Sequence, residues 1–409
     1  MKPTGPMPPY FSARADGQLI IGGTPVDELI AEAGGTPLFV YDNNIIGSQI
    51  SRFRTAMPSG INLYYAMSAN PYVELLQFIG RYVEGFRVVS EGEIERLREA
   101  ELEGIAMTFA GPGKSDSEID DAILADATIS LESKIEAARA ISAARRLGKR
   151  PRLAVRVDPP FAIGDDGSEC AVAPNPFGFD ADEVPAIITG LIEADVDFRG
   201  IHIFTGSQWL DADALTKVHR QTINLAGQIA DAAGIRIPEL NLGGGFGTPC
   251  LQGEWPLDID RVAKALCDSL LSASDMLATT TLSIELGRWL VSEAGVYVTR
   301  VVDKKESAGR TFLVTDGGGN HLIGATGPFG EPPRRNHPIA VANKYGAPVE
   351  EVVTVTGCLC TPFDVLGDDV GLPVAEPGDL IAIFCAGAYG LTASPQNWES
   401  RPLALEIMV

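Results

Sequence analysis

The sequence predicts an α/β fold in two domains, a (β/α)8 barrel of the TIM type followed by a C-terminal all-β barrel or sandwich. Two observations carry this expectation. Eight short runs of apolar, β-branched and aromatic residues alternate with longer stretches of helical period, and from about Val291 the helical stretches stop while the strand-like runs continue. Continuous apolar strands separated by helices imply a parallel sheet covered on both faces. A count of eight favours closure into a barrel over an open doubly wound sheet.

The eight runs are INLYYAM (61–67), FRVV (86–89), MTFAG (107–111), ATISL (127–131), RLAVRV (152–157), GIHIF (200–204), ELNLGG (239–244) and TLSIELG (281–287). Between them, Ser90–Ala100 opens with Ser90 and Glu93 at capping-box spacing. Ser133–Leu147 and Ala212–Ala233 carry apolar residues at helix spacing. Beyond Val291 the runs VYVTRVV, TFLVTD, PIAVAN, EVVTVTG, DLIAIFC and LALEIMV read as strands. Strands from about the first 35 residues are expected to join them. The predicted division is a barrel over 34–290 and a β domain made of 1–33 with 291–409.

The chain has 409 residues, enough to bury a large core, and its formal charge is −22. That charge repels nucleic acid and anionic membranes, so neither is expected as a partner; it reads as a solvated acidic surface. The cysteines (Cys170, Cys250, Cys267, Cys358, Cys360, Cys385) show no CxxC pairing, so no zinc cluster or disulfide framework is expected. The opening MKPTGPMPPYF lacks an apolar signal core, and no apolar run reaches the roughly 18 residues a membrane span needs. A cytoplasmic protein is the expectation.

In a barrel of this kind chemistry sits at the C-terminal ends of the strands. Those ends carry Met67-Ser68-Ala69-Asn70-Pro71, Phe204-Thr205-Gly206-Ser207-Gln208, Gly243-Gly244-Gly245-Phe246-Gly247 and Glu285-Leu286-Gly287-Arg288. Consecutive glycines let backbone N–H groups close on an anion, and a helix N-terminus adds its dipole. The same glycines also suit a tight strand-to-loop turn. The run lacks the Lys-Ser/Thr of a P-loop and stands too late in the chain for a dinucleotide fold. A single phosphate on a small cofactor fits, with Ser207 as hydroxyl donor and Arg288 as charge. Glu285 has two readings: it pairs with Arg288, or it holds a pyridine nitrogen protonated and makes the ring an electron sink.

With these pieces go TPLFVYD (36–42), YYAMSANP (64–71), FRVVSEGEI (86–94), FAGPGKSD (109–116), GIHIFTGSQ (200–208), NLGGGFG (241–247), ELGR (285–288), GCLCTPFD (357–364) and GAYG (387–390). Across almost the whole chain this ordered set resembles the fold-type III PLP-dependent decarboxylases, the diaminopimelate/ornithine decarboxylase family. The resemblance implies pyridoxal 5′-phosphate as cofactor. It implies that Ser207, Gly244, Gly245, the backbone of Gly287-Arg288 and Tyr389 hold the phosphate, and that Glu285 pairs with the pyridine nitrogen. Cys360 would return a proton to the substrate carbon after carbon dioxide leaves. Cys360 and Tyr389 would reach the site across a head-to-tail dimer, so a homodimer is implied; a buried apolar thiol is the plainer reading of Cys360.

The sequence departs from the family pattern at Ser68, where the family has the lysine that binds the cofactor covalently. Serine has no amine and cannot make that link. Lys114 belongs to another motif and offers no obvious replacement. An engineered lysine-to-serine change and a natural lineage that lost the chemistry both account for the serine. Either way PLP binds noncovalently and turnover is severely reduced. Phe204 replaces the histidine that stacks on the cofactor in many members, and its face can still stack. With CTPFD and DGGGNH (316–321), it resembles the branch that includes decarboxylases of carrier-protein-bound amino acids. Diaminopimelate decarboxylases have glutamate at Thr361 and arginine at Gly324, so free diaminopimelate is not the expected substrate. Asp364 holds a distal amine or is an ordinary loop acid, and His321 lines the substrate pocket in one reading. His202 reads as a packed core residue. Arg87, where aspartate is usual, has no explanation at the level of sequence.

The expected function is therefore a PLP-dependent amino-acid α-decarboxylase scaffold for a free or carrier-bound amino acid, disabled at Ser68. A natural non-catalytic PLP or amino-acid binding protein and an amino-acid racemase are the rivals.

Overall fold

The computed structural model describes residues 1–164, 167–327, 333 and 335–409. They form two compact units, one of residues 50–247 with 257–287, the other of residues 1–49 with 248–256 and 288–409.

In the first unit the eight runs become parallel strands: Asn62–Ala66, Gly85–Val88, Ala106–Phe109, Thr128–Leu131, Arg152–Asp158, Asp197–Ile203, Glu239–Asn241 and Thr281–Leu286. Each pairs with the next, and Ser283–Leu286 lies in register with Asn62–Tyr65, so the ring closes. Closure leaves no unpaired edge. Two hydrogen bonds show which side chains point inward. Thr108 and Glu285 lie on strands that are not neighbours yet bond at 3.0 Å, and Ser130 meets His202 in the same way at 3.1 Å. The barrel interior below the mouth is thus polar, an arrangement tolerated because its buried groups are largely matched to one another.

Helices Val73–Ile79, Glu91–Glu99, Asp116–Leu124, Lys134–Leu147, Val184–Glu193, Ala212–Ala233 and Ile259–Leu271 separate the strands. The capping box at Ser90 is only half formed. Its hydroxyl accepts from Glu93 N–H at 3.2 Å, but the Glu93 carboxylate reaches one residue further back, to Val89 N–H at 2.7 Å. Ser115 and Glu118 complete both halves of theirs.

The second unit holds an eight-stranded sheet. The TPLFVYD run, which the sequence division places in the barrel, enters this sheet. Its Leu38–Tyr41 strand pairs antiparallel with Gly295–Ser307 and parallel with Leu405–Met408. The earlier strands, Ser12–Ala13, Leu19–Ile21 and Thr24–Pro25, make a three-stranded sheet of their own instead of joining the larger one. Leu19 and Ile21 bury against Leu29 and Ile30 of the Val26–Ala33 helix and against Val296, Ala382 and Phe384. Val365–Leu372 is a strand absent from the sequence reading. Gly367, Asp368 and Asp369 interrupt its apolar pattern, Asp369 takes φ +50°, and its register slips against Glu351–Thr356. Among the described residues no helix is long and apolar enough to cross a membrane.

Candidate active site

Glu285 lies one residue before the end of its strand, and the barrel decides what its two oxygens meet. Oε1 accepts from Thr108 Oγ1 at 3.0 Å and from Asn241 Nδ2 at 2.6 Å. Oε2 faces Arg87 Nε at 3.6 Å and His202 Nε2 at 3.8 Å, and neither nitrogen makes a hydrogen bond among the described residues. Burial pushes the Glu285 carboxyl up, but its cationic and hydrogen-bonding neighbours outweigh that and leave it below the ordinary carboxylate range. Burial drives His202 down to about 4, so near neutrality it is an uncharged imidazole. Arg87 is then the cation that supports ionised Glu285. Thr108 and Asn241 went unremarked in the sequence; Asn241 opens the NLGGGFG motif and also accepts Gly243 N–H at 2.8 Å.

The glycine run beside it is dictated by close backbone contact. A Cβ on Gly244 would stand 1.6 Å from the Glu285 carbonyl oxygen, and one on Gly245, at φ +86°, would stand 2.3 Å from the Gly206 carbonyl. Gly245 C=O in turn accepts Trp209 N–H at 2.8 Å. The loop after Glu239–Asn241 is therefore laced to the loop after Asp197–Ile203. That lacing brings Ser207, with its exposed hydroxyl, and the exposed Phe204 ring to the same end of the barrel. Gly287 lies where a Cβ would meet Ala66 O at 2.8 Å and Ala69 Cβ at 2.9 Å. The short 3-10 turn Met67–Ala69, with half-buried Ser68 at its centre, is thus seated beside the end of the Glu285 strand.

Lys114 does not replace the missing amine. Its buried Nζ donates to Gly111 O at 2.7 Å, Ser130 O at 3.1 Å and Glu136 Oε1 at 2.8 Å, which uses all three of its N–H bonds. Close by, the mouth opens into a cavity of about 540 Å³ lined by Arg87, Arg156, Asn175, Phe177 and Phe204, with Lys114 in its wall. Glu132 shapes its rim. This buried carboxylate accepts Gly111 N–H, Gly178 N–H and Arg156 Nη1, each at 2.8 Å. The Arg156 guanidinium lies 4.6 Å from the Phe177 ring centre.

In the β unit, Arg288 stacks over Tyr389 at 4.8 Å, and its buried Nε has no hydrogen-bond partner among the described residues. Tyr389 takes φ +54°. Cys360 is exposed, and its N–H donates to Glu399 at 2.8 Å. Thr361 is half-buried and takes a weak 3.4 Å bond from Phe363 N–H. Asp364 is buried, with Oδ1 taken by Gly319 N–H at 2.6 Å and Oδ2 by Leu359 N–H at 2.8 Å. These contacts make it a pin for two loops. His321 is buried between Tyr297 Oη at 3.1 Å and the Pro402 carbonyl at 2.9 Å, a packed position within the unit.

The family model for pyridoxal-dependent decarboxylases, pyridoxal binding domain, matches residues 44–292. The chain belongs to the pyridoxal-dependent decarboxylase family. It is 33% identical over 380 residues to the L-glutamyl-[BtrI acyl-carrier protein] decarboxylase of Niallia circulans, covering 91% of this chain and 88% of the relative. It is 31% identical to the diaminopimelate decarboxylase of Archaeoglobus fulgidus, covering 97% and 92%. Among solved structures, the M. jannaschii diaminopimelate decarboxylase in co-complex with L-lysine superposes with TM-score 0.86 at 27% identity, over 98% of this chain and 92% of the other.

Pyridoxal 5′-phosphate is the cofactor of these decarboxylases, and the barrel's own groups fit it. Among the described residues Glu285 Oε2 takes no hydrogen bond, while Oε1 takes two, so Oε2 is the oxygen free to face a ring nitrogen. The Gly243–Gly247 turn carries no side chain at Gly244 and Gly245, where a Cβ would meet the Glu285 and Gly206 carbonyl oxygens. Among the described residues that line the cavity, Lys114 is the lysine, and its amine is committed to Gly111, Ser130 and Glu136.

Proposed function

We propose that this chain is a PLP-dependent amino-acid α-decarboxylase scaffold whose substrate is a free or carrier-protein-bound amino acid other than diaminopimelate, and whose turnover is severely impaired by Ser68. The observation that carries the reading is the pairing of a Glu285-centred ring site with serine at the end of the Asn62–Ala66 strand. The cofactor supplies an electron sink for the bond to the departing carboxylate. Glu285 holds a proton at the ring nitrogen, Phe204 covers the ring face and Ser207, Gly244, Gly245, Gly287, Arg288 and Tyr389 bind the phosphate. Cys360 delivers a proton to the substrate carbon. In a homodimer Cys360 and Tyr389 would act on the partner's site, and the exposure of Cys360 is compatible with that role. Serine at 68 has no amine with which to hold the cofactor covalently, so PLP would be held there by noncovalent contacts alone.

Substrate class follows from what is missing. Thr361 and Gly324 provide neither the acid nor the arginine that grip the distal end of diaminopimelate, and Asp364 is committed to backbone N–H groups. The Niallia circulans relative is named for a glutamyl group on an acyl-carrier protein, which supports a tethered substrate. We place the protein in the cytoplasm.

Substitution Ser68→Lys is the test. The restored lysine should link PLP covalently, seen as an absorbance band shifted from that of the free aldehyde, and should release carbon dioxide from one member of a panel of free and carrier-bound amino acids. A linked cofactor with no gas from any substrate would favour the non-catalytic binding protein. Solvent deuterium in unreacted substrate without gas would favour a racemase.

A further inference from the structure

Arg87 is the residue that sequence left unexplained, and the barrel gives it a place. It stands on the Gly85–Val88 strand, lines the mouth cavity and directs its Nε to within 3.6 Å of Glu285 Oε2. That nitrogen is buried and lacks a hydrogen-bond partner among the described residues. The other cations of the cavity wall are already balanced: Arg156 by Glu132 at 2.8 Å and Lys114 by Glu136 at 2.8 Å. Among the acids there, Asp158 accepts from Asn175, and Glu118 caps its helix with Ser115. Arg87 has Glu285 as its ion-pair partner, so the charge of Glu285 is balanced before any cofactor arrives.

We propose that Arg87 shares Glu285 Oε2 with the cofactor's ring nitrogen and lowers that nitrogen's affinity for a proton. A protonated pyridine beside Oε2 would be a second cation a few ångströms from the guanidinium, and like charges at that range disfavour the charged form. The remaining groups facing Glu285 do not offset this. Thr108 and Asn241 are neutral and occupy the other oxygen, and His202 is a neutral ring. Tyr64 and Glu239 also lie within electrostatic range of Glu285. Tyr64 is neutral near pH 7 because burial raises its phenol, and Glu239, which accepts Ser283 Oγ–H, opposes Arg87 only when ionised, a form that burial disfavours. Arg87 is thus a positioning residue that tunes the strength of the electron sink, and the inference rests on the reading that the barrel mouth holds pyridoxal phosphate.

The test uses the full chain loaded with ring-15N pyridoxal 5′-phosphate. The 15N chemical shift reports nitrogen protonation directly, without turnover. Over a pH titration the parent and Arg87→Lys should lose the ring proton at closely similar pH. Arg87→Gln, which keeps length and removes charge, should hold the proton to a pH at least one unit higher, a tenfold gain in proton affinity. The same 15N titration in parent and Arg87→Gln, with cofactor bound to both, overturns the role of Arg87 and leaves the cofactor site intact. No uptake of cofactor by the parent chain overturns both this inference and the function on which it rests. Should Arg87→Gln fail to fold, Arg87→Met and Arg87→Lys carry the same comparison of charge removed against charge kept.

Discussion

Replacing Glu132 by glutamine asks how the barrel mouth is held in shape. The carboxylate joins three elements: the turn at Gly111, the return of the 159–178 segment at Gly178, and Arg156 on its strand, each at 2.8 Å. Glutamine keeps the volume and one acceptor oxygen. Turned so that the oxygen serves Gly111 N–H and Arg156, it presents an NH2 group to Gly178 N–H, donor against donor. The buried guanidinium also loses its counter-charge. An unsatisfied buried donor costs about 1–3 kcal/mol, and an ion pair broken by removing one partner about 3–5 kcal/mol. Because glutamine still accepts from Arg156, the lower end applies, and Glu132→Gln should lose about 3 kcal/mol of unfolding free energy. Urea unfolding followed by circular dichroism measures the loss. Hydrogen exchange of peptides spanning 172–183 measures its location, which should be the Gly178 end of the loop. A variant within about 0.5 kcal/mol of the parent, or a loss with unchanged exchange at 172–183, would refute the claim that this carboxylate clasps the mouth.

Gly245→Ala should cost about 3 kcal/mol and weaken PLP uptake in equilibrium titration, since its φ of +86° and the Gly206 carbonyl at 2.3 Å both oppose a Cβ. Gly234→Ala, at φ +67° with open space around it, is the control and should cost only about 1 kcal/mol while binding cofactor normally. His219 is buried, and its pKa falls to about 4, below the ordinary 6.5, because burial penalises its charged form. The unfolded chain therefore takes up that proton first as pH falls, so the stability this group contributes is complete above 6.5 and lost between 6.5 and 4. The loss is about 3 kcal/mol for a shift of this size. His219→Leu should flatten the acid limb of the stability curve by that amount; an unchanged limb between pH 6.5 and 4 would show that the ring is protonated in the fold.

Much of this protein was legible because its strands are short and parallel, and parallel strands buried on both faces must be apolar throughout. The eight runs, the helix cap at Ser90 and the change of rhythm near Val291 are local signals of that kind. The glycines of 243–247, Glu285 and the serine at 68 could be read for the same reason, since the end of a strand is where a barrel puts its chemistry. Where a segment pairs in space is a different matter. Leu38–Tyr41 looks like any apolar strand, and only its ladder partners, from Gly295 to Val298 and from Leu405 to Met408, assign it to the β unit.

 The antiparallel partners lie 254 to 260 residues further along the chain and the parallel ones 367. No local pattern encodes a partner that far away.

The sequence by itself therefore determined the eight barrel strands, most of the β strands after them and the residue types at the strand ends. Tertiary structure alone decided what those residues face. Arg87 meets Glu285, Lys114 spends its amine on Gly111, Ser130 and Glu136, and Glu132 clasps two loops and an arginine. The physical reason is that burial and periodicity are properties of neighbouring residues, whereas an ion pair at 3.6 Å across a barrel depends on closure, which brings together strands far apart in the chain.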